Sequence, residues 1–352
     1  MNPPNSELIK STKHIEKLLL IIVVISTLAI LKLLSYIFVP LVAASLLALV
    51  FMPMMRWFAK KNISNWLAMP LVIIILCALV GFFIFLVQIS SREISSVDMQ
   101  FWYNSLERIN HLLVPLFNML GFEHVSHHDI SNYILNHAEV SSKLYSLLGT
   151  VLNVTQRTLI MLAMTLFYVI LLLSGSINMR KIMQTTIFNR ATPAARTFVI
   201  LEKSISKFLI VKFLISLGTG IAVCVSCLAF NVQFPFFWGI LTFVANFIQM
   251  FGSIASTTLL SLFALSQIDS TGTAFTLIAL LIAIQIVFGS ILEPIFMGKA
   301  FSINTITVLI MLMFWGYMWG VIGMILSVPI TVVIKTVLSQ SVKYKIVSDL
   351  MG

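Results

Sequence analysis

The chain alternates long apolar runs with short polar interruptions. Apolar windows fall at 18–39, 40–56, 66–90, 151–174, 208–230, 272–292 and 318–338, and shorter apolar pieces lie at 236–251, 253–268 and 304–317. A helix rises about 1.5 Å per residue and a bilayer core is about 30 Å thick, so about 17 to 25 apolar residues cross it. The pattern therefore predicts an all-α, polytopic helical membrane protein. Residues 231–268 hold two apolar pieces meeting at Gly252 and Ser253. Each is short for a comfortable span and suits one arm of a hairpin of short helices dipping into the membrane.

Composition strengthens this reading. Of 352 residues, 59% are hydrophobic and 10% charged, and the mean hydropathy is +1.05, whereas soluble domains carry about 25% charged residues. Lys10, Lys13 and Lys17 precede the first apolar run as they would in a secretory signal. That run continues past Lys32 towards Pro40 without a small-residue cleavage pattern, which predicts a retained first helix with Lys32 snorkelling to an interface.

The net charge of +10 is concentrated in short connections, which argues against nucleic-acid binding and for membrane orientation. Arg56, Lys60 and Lys61 follow the second run, and Arg180, Lys181, Arg190, Arg196, Lys203 and Lys207 lie between the fourth and fifth. Residues 91–150 instead mix Arg92, Arg108 and Lys143 with Glu93, Asp98, Glu107, Glu123, Asp129 and Glu139. The positive-inside rule places both termini and the basic connections in the cytoplasm, near anionic lipid headgroups, and 91–150 outside. Four parts result: a three-span region 1–90, an extracytoplasmic segment 91–150, a fourth span with its basic connection 151–207, and a C-terminal transport core 208–352 with interrupted helices.

Within the external segment Leu106, Ile109, Leu113, Leu116 and Phe117 recur at helical spacing, with Pro115 and Gly121 as kink and stop. The 175–207 connection reads as an amphipathic helix at the inner interface. Cys77, Cys224 and Cys227 fall inside apolar helices as small packing residues. His124, His127 and His128 beside Glu123 and Asp129 have partial zinc-ligand spacing, yet no further ligand is fixed by the pattern, and surface histidines explain them as well. There is no phosphate-binding G-x-x-x-x-G-K-[ST] loop, no G-x-S-x-G and no H-E-x-x-H, so neither ATP hydrolysis nor these hydrolase chemistries are expected, and no cofactor is implied.

The chemistry concentrates in the second half. Glu293 and Pro294 interrupt a span, and Lys299 follows closely. An ionisable group near the bilayer centre costs about 3 kcal/mol or more on insertion scales, so something must compensate it. Glu293 has three readings: an ion pair with Lys299 or with Lys212 of the fifth span, a proton- or cation-coupling group, or an interfacial carboxylate in water. Pro294 should end or kink the helix before it. Asn246 and Gln249, three apart near the hairpin tip, would share a helix face and either offer amide groups to a polar solute or tie helices together. With Gly252, Ser253, Gln285 and Lys299 they complete the candidate substrate or ion pathway: Asn246, Gln249, Gly252, Ser253, Gln285, Glu293, Pro294 and Lys299. Further on, Trp315, Tyr317 and Trp319 alternate with Gly316 and Gly320, a G-x-x-x-G pair expected to let helices approach, and Pro329 is expected to kink the last span.

The motifs E-P-x-x-M-G-K at 293–299 and W-G-x-x-x-G-x-x-G-M-x-L-S-V-P at 315–329 resemble the signature half of the autoinducer-2 exporter (AI-2E) family of bacterial permeases. The overall layout is similar to that family over most of the chain. One departure stands out. Where the family usually has I-P-x-x-G-x, this chain has Ile248, Gln249, Met250, Phe251, Gly252 and Ser253, so Gln249 replaces the proline. The resemblance implies an oligomeric inner-membrane transporter of about eight membrane segments. It further implies export of a small polar molecule such as the quorum-sensing signal autoinducer-2. Some members of the family are associated instead with cation/proton antiport. Proton or monovalent-cation coupling, a cation/proton antiporter, and a non-transport scaffold binding a partner through 91–150 all remain compatible with these residues.

Overall fold

The computed structural model describes residues 5–63, 65–95, 108, 160–174, 193–297, 303–339 and 345–352. Among them the protein is helical throughout. The elements are α1 (Asn5–Leu33), α2 (Ser35–Lys60), α3 (Asn65–Ser95), α4 (Ile160–Ser174), α5 (Pro193–Ala229), α6 (Pro235–Ala245), α7 (Phe251–Gln267), α8 (Thr271–Met297), α9 (Thr305–Ser339) and α10 (Lys345–Leu350). By length and composition six of these, α1, α2, α3, α5, α8 and α9, could cross a membrane, α9 being counted whole although it is broken at Gly320. Most of segment 91–150, including the histidine cluster, lies outside the described residues, as do 151–159, 175–192 and Lys299.

Three of the expected boundaries move. The first is at Leu34 rather than Pro40. Leu34 N–H still bonds Ile30 and its carbonyl receives Ile37 and Phe38, so α1 passes into α2 through a one-residue kink. Pro40 lies in the second turn of α2 and deprives only the Tyr36 carbonyl of a ladder partner there, so the helix runs through it. The second concerns the basic connection: its described part, 193–207, is not a separate interfacial helix but the start of α5, with Pro193 in its first turn. The third lies in α9. At Gly320 φ is 65° and ψ −147°, a conformation that a glycine tolerates and a side chain resists. The chain folds back there, so that a Cβ on Gly323 would stand 2.0 Å from the Trp315 carbonyl oxygen. Gly320 is thus a breaker rather than half of a straight packing motif, and the non-helical break in α9 falls there, not at Pro329. Lys32 Nζ sits 3.4 Å from the centre of the Tyr317 ring, while Trp319 Nε1 donates to the Leu31 carbonyl at 3.1 Å.

Helix α5 organises the packing. One apolar cluster joins α2, α3 and α4 through Ala48, Phe51, Val72, Leu76, Val169 and Leu173. A second joins α5 to α6, α7 and α8 through Val223, Trp238, Leu260, Leu277 and Leu281. A third ties α5 to α2 and α9 through Ile205, Leu46, Leu326 and Val332.

Beside α5, helices α6 and α7 form the expected hairpin, of 11 and 17 residues. Its feet are closed by Gln267, whose Nε2 donates to the Asn231 carbonyl at 3.1 Å and whose Oε1 accepts from Gln233 N at 2.9 Å. Glu93 at the end of α3 accepts from Phe237 N at 3.2 Å, supplying the N-terminal cap that Phe234 lacks. The joint is not at Gly252 and Ser253. It is the turn 246–250, closed by Met250 at φ 60°, and Gly252 already belongs to α7. Gly252 serves close approach instead, since a Cβ there would stand 1.6 Å from the Ala245 carbonyl oxygen.

That contact gives a prediction. Gly252→Ala should destabilise the protein by about 1–3 kcal/mol or more, because the methyl meets backbone rather than a yielding side chain. Gly272→Ala, where the nearest atom is 3.9 Å away, should change stability by less than about 0.5 kcal/mol. Denaturant unfolding in micelles measures both, and equal effects would contradict the close approach.

Candidate functional site

The site begins with a stripe of polar residues on an apolar helix. Glu202, Ser206, Lys212, Ser216, Thr219 and Ser226 of α5 are all buried, and the steps of four, three and seven from Lys212 to Ser216, Thr219 and Ser226 keep those four on one face. Some are satisfied along the helix or by α2: Thr219 bonds the Ile215 carbonyl and Ser206 the Leu49 carbonyl. Lys212 and Ser216, one turn apart, reach across to the hairpin and α8.

Lys212 lies within the apolar stretch Leu201–Ala229, about 17 Å along the helix from one end and about 26 Å from the other. Its Nζ is 2.8 Å from Glu293 Oε1 and 2.9 Å from Oε2. Gln249 Oε1 receives a longer bond from the same ammonium at 3.4 Å. Glu293 is 6% exposed and Lys212 3%, so the pair is withdrawn from solvent as well as matched in charge.

Glu293 reaches this position through an irregular helix. Pro294 neither ends α8 nor breaks it sharply. Residues Ile286–Leu292 form a π-helical segment, in which Glu293 N–H bonds Phe288 five residues back, and α-helix resumes at Glu293–Met297. The wider turn relieves the clash that a proline ring makes with the carbonyl four residues earlier.

The hairpin tip supplies the rest. Asn246 Nδ2 donates to Ser216 Oγ at 3.1 Å, and Asn246 Oδ1 accepts from Ser253 Oγ at 2.8 Å. One carboxamide thus joins α5, the turn and α7. Ser256 Oγ bonds the Ser253 carbonyl at 3.2 Å. Farther along, Gln285 Nε2 donates to Thr257 Oγ1 at 3.1 Å, linking α8 to α7.

Of the sequence-predicted residues, the structure brings Asn246, Gln249, Ser253 and Glu293 together around Lys212 and Ser216. Gly252 shapes the turn beside them, Gln285 makes its own contact with Thr257, and Pro294 sets the helix geometry at Glu293. Lys299 lies outside the described residues. Asn246 and Gln249 act from a turn, not from a shared helix face. Ser216 and Thr257 are absent from the predicted set. The i, i+4 spacing of Lys212 and Ser216 is the available signal for the first; Thr257 has none. Asp269 stands apart, 86% exposed at the α7–α8 connection and paired with Arg108 at 2.6 Å. Among the described residues no group of His, Cys, Asp and Glu is placed to hold a metal ion.

Residues 19–343 match the family described as AI-2E family transporter. A candidate transport protein of Haemophilus influenzae is 29% identical over 332 residues, covering 92% of each chain. The AI-2 transport protein TqsA of Escherichia coli is 27% identical over 308 residues, covering 87% of this chain and 86% of its own. A candidate transport protein of Borreliella burgdorferi is 33% identical over 153 residues, 43% of this chain and 42% of its own. The family match runs from α1 past the end of α9 and encloses both the hairpin and the ion pair, and the chain belongs to the AI-2E transporter family.

Proposed function

We propose that this membrane transporter exports a small, uncharged, polar solute across a bacterial inner membrane, and that the hairpin tip with the facing stripe of α5 is its site. The observation that carries the reading is the convergence of Asn246, Gln249 and Ser253 on Lys212, Ser216 and Glu293 inside an otherwise apolar bundle. Short helices with an irregular joint at membrane depth are where transporters place solute sites. Amide and hydroxyl groups at the tip can exchange their mutual hydrogen bonds for bonds to a solute's hydroxyl or carbonyl groups at little net cost.

Autoinducer-2 is the solute to test first, because the Escherichia coli relative is named for its transport. The matched charges of Lys212 and Glu293 weigh against a cation/proton antiporter, since the carboxylate already has its counter-ion. Asp269 is exposed and paired with Arg108, so it is not a carrier carboxylate inside the bundle. The basic residues Lys60, Lys61, Lys203 and Lys207 support cytoplasmic placement of the termini.

Proteoliposomes holding the purified protein should accumulate labelled autoinducer-2 above empty vesicles when a proton gradient is imposed. Asn246→Ala and Glu293→Gln should each lower the initial rate by about tenfold or more, equivalent to about 1.4 kcal/mol in the rate-limiting barrier. Asp269→Asn should stay within about twofold, as expected for an exposed pair. No accumulation by the unaltered protein would remove autoinducer-2 as the solute, and an unaffected Asn246→Ala would remove the hairpin tip as the site.

A further inference from the structure

The Lys212 ammonium has the surroundings of a bound cation. Two carboxylate oxygens of Glu293 and the amide oxygen of Gln249 converge on Nζ at 2.8, 2.9 and 3.4 Å. They come from two separate elements, α8 and the hairpin turn, while the positive charge arrives from a third, α5. Hard oxygen donors of this kind suit alkali cations, and broken membrane helices hold such ions in transporters. Neither charge is tolerable alone at this depth, so the carboxylate requires a cation or a proton whenever the ammonium is absent.

We propose that Glu293 and Gln249 form a monovalent-cation site that Lys212 fills as a tethered counter-ion. The native protein then needs no alkali cation at this position, and a free alkali cation enters once the ammonium is removed. The charge count makes the proposal specific. Lys212→Met leaves one negative charge, which a single Li⁺, Na⁺ or K⁺ neutralises. Glu293→Gln leaves one positive charge and no attraction for a cation. Lys212→Met with Glu293→Gln is neutral without any ion. Because Gln249 lies on the hairpin turn, a bound ion would link the hairpin to α8 as the ammonium does now. The inference rests on the same residues as the proposed transport site, but not on the identity or movement of any solute.

Thermal unfolding of the purified proteins in detergent tests it, with LiCl, NaCl or KCl exchanged for N-methyl-D-glucamine chloride at constant ionic strength. Lys212→Met should show a saturable rise in Tm of about 5 °C with at least one alkali cation, as expected when an ion binds only the folded state well above its Kd. Adding Gln249→Leu should shift that rise to higher cation concentration. The unaltered protein, Glu293→Gln and the Lys212→Met/Glu293→Gln double variant should give flat curves. A flat curve for Lys212→Met, or a saturable response in the unaltered protein, overturns the proposal. So does a Lys212→Met protein that cannot be recovered folded in LiCl, NaCl or KCl where the double variant is recovered, because no alkali cation would then have filled the site. The readout needs no transported solute. A failed autoinducer-2 assay therefore leaves this inference standing, and a flat Lys212→Met curve leaves the transport reading standing.

Discussion

At the depth of Lys212 there is no bulk water to hydrate an ammonium, and the apolar surroundings cannot substitute for it. The charge is tolerable only because Glu293 meets it with both carboxylate oxygens. Much of the surrounding geometry serves that meeting. The π-helical segment lets α8 continue through Pro294 and turn Glu293 inward. Helix α5 carries Lys212 along its buried polar face, and the hairpin turn brings Gln249 to the same ammonium. Three elements are thereby held by one pair of charges, and a motion of any one of them must be accommodated by the other two.

The hairpin answers the same constraint with neutral groups. Helix α6, of 11 residues, is too short to cross, so the turn ends inside the protein, where backbone and side-chain polar groups must find partners. Asn246 uses both ends of its carboxamide, towards Ser216 and Ser253, and the turn closes on its own backbone bonds from Phe251 to Gln249 and from Gly252 to Ile248. Bonds of this kind hold the tip in one arrangement, yet each is individually modest and exchangeable. A charged lock and an exchangeable polar tip lie side by side.

Much of the fold is legible in the sequence because membrane spans leave a strong signal in hydropathy alone. The short helices of the hairpin and the irregularity at Glu293 are visible for the same reason: polar residues and proline are costly there. Positions decided by three-dimensional contact are harder to read. Gly252 has the sequence context of a joint, but its role is to admit the Ala245 carbonyl, and the turn itself uses Met250. Pro40 has the residue type of a boundary and is tolerated within α2, whereas Leu34 carries no residue-type signal for the kink. Gly316 and Gly320 match a packing motif, and only the backbone of Gly320 shows that the helix breaks there. The sequence leaves the partner of Glu293 open between Lys212 and Lys299, because a contact across 81 positions leaves no local pattern.

Lys212 and Glu293 stabilise the fold as a unit rather than as two independent polar residues. A double-mutant cycle on unfolding free energy in micelles, using Lys212→Met, Glu293→Leu and the two together, measures this directly. Each single change should cost about 3–5 kcal/mol and the double change far less than their sum, with a coupling of about 2 kcal/mol or more. Single effects that add to within about 0.5 kcal/mol would contradict it.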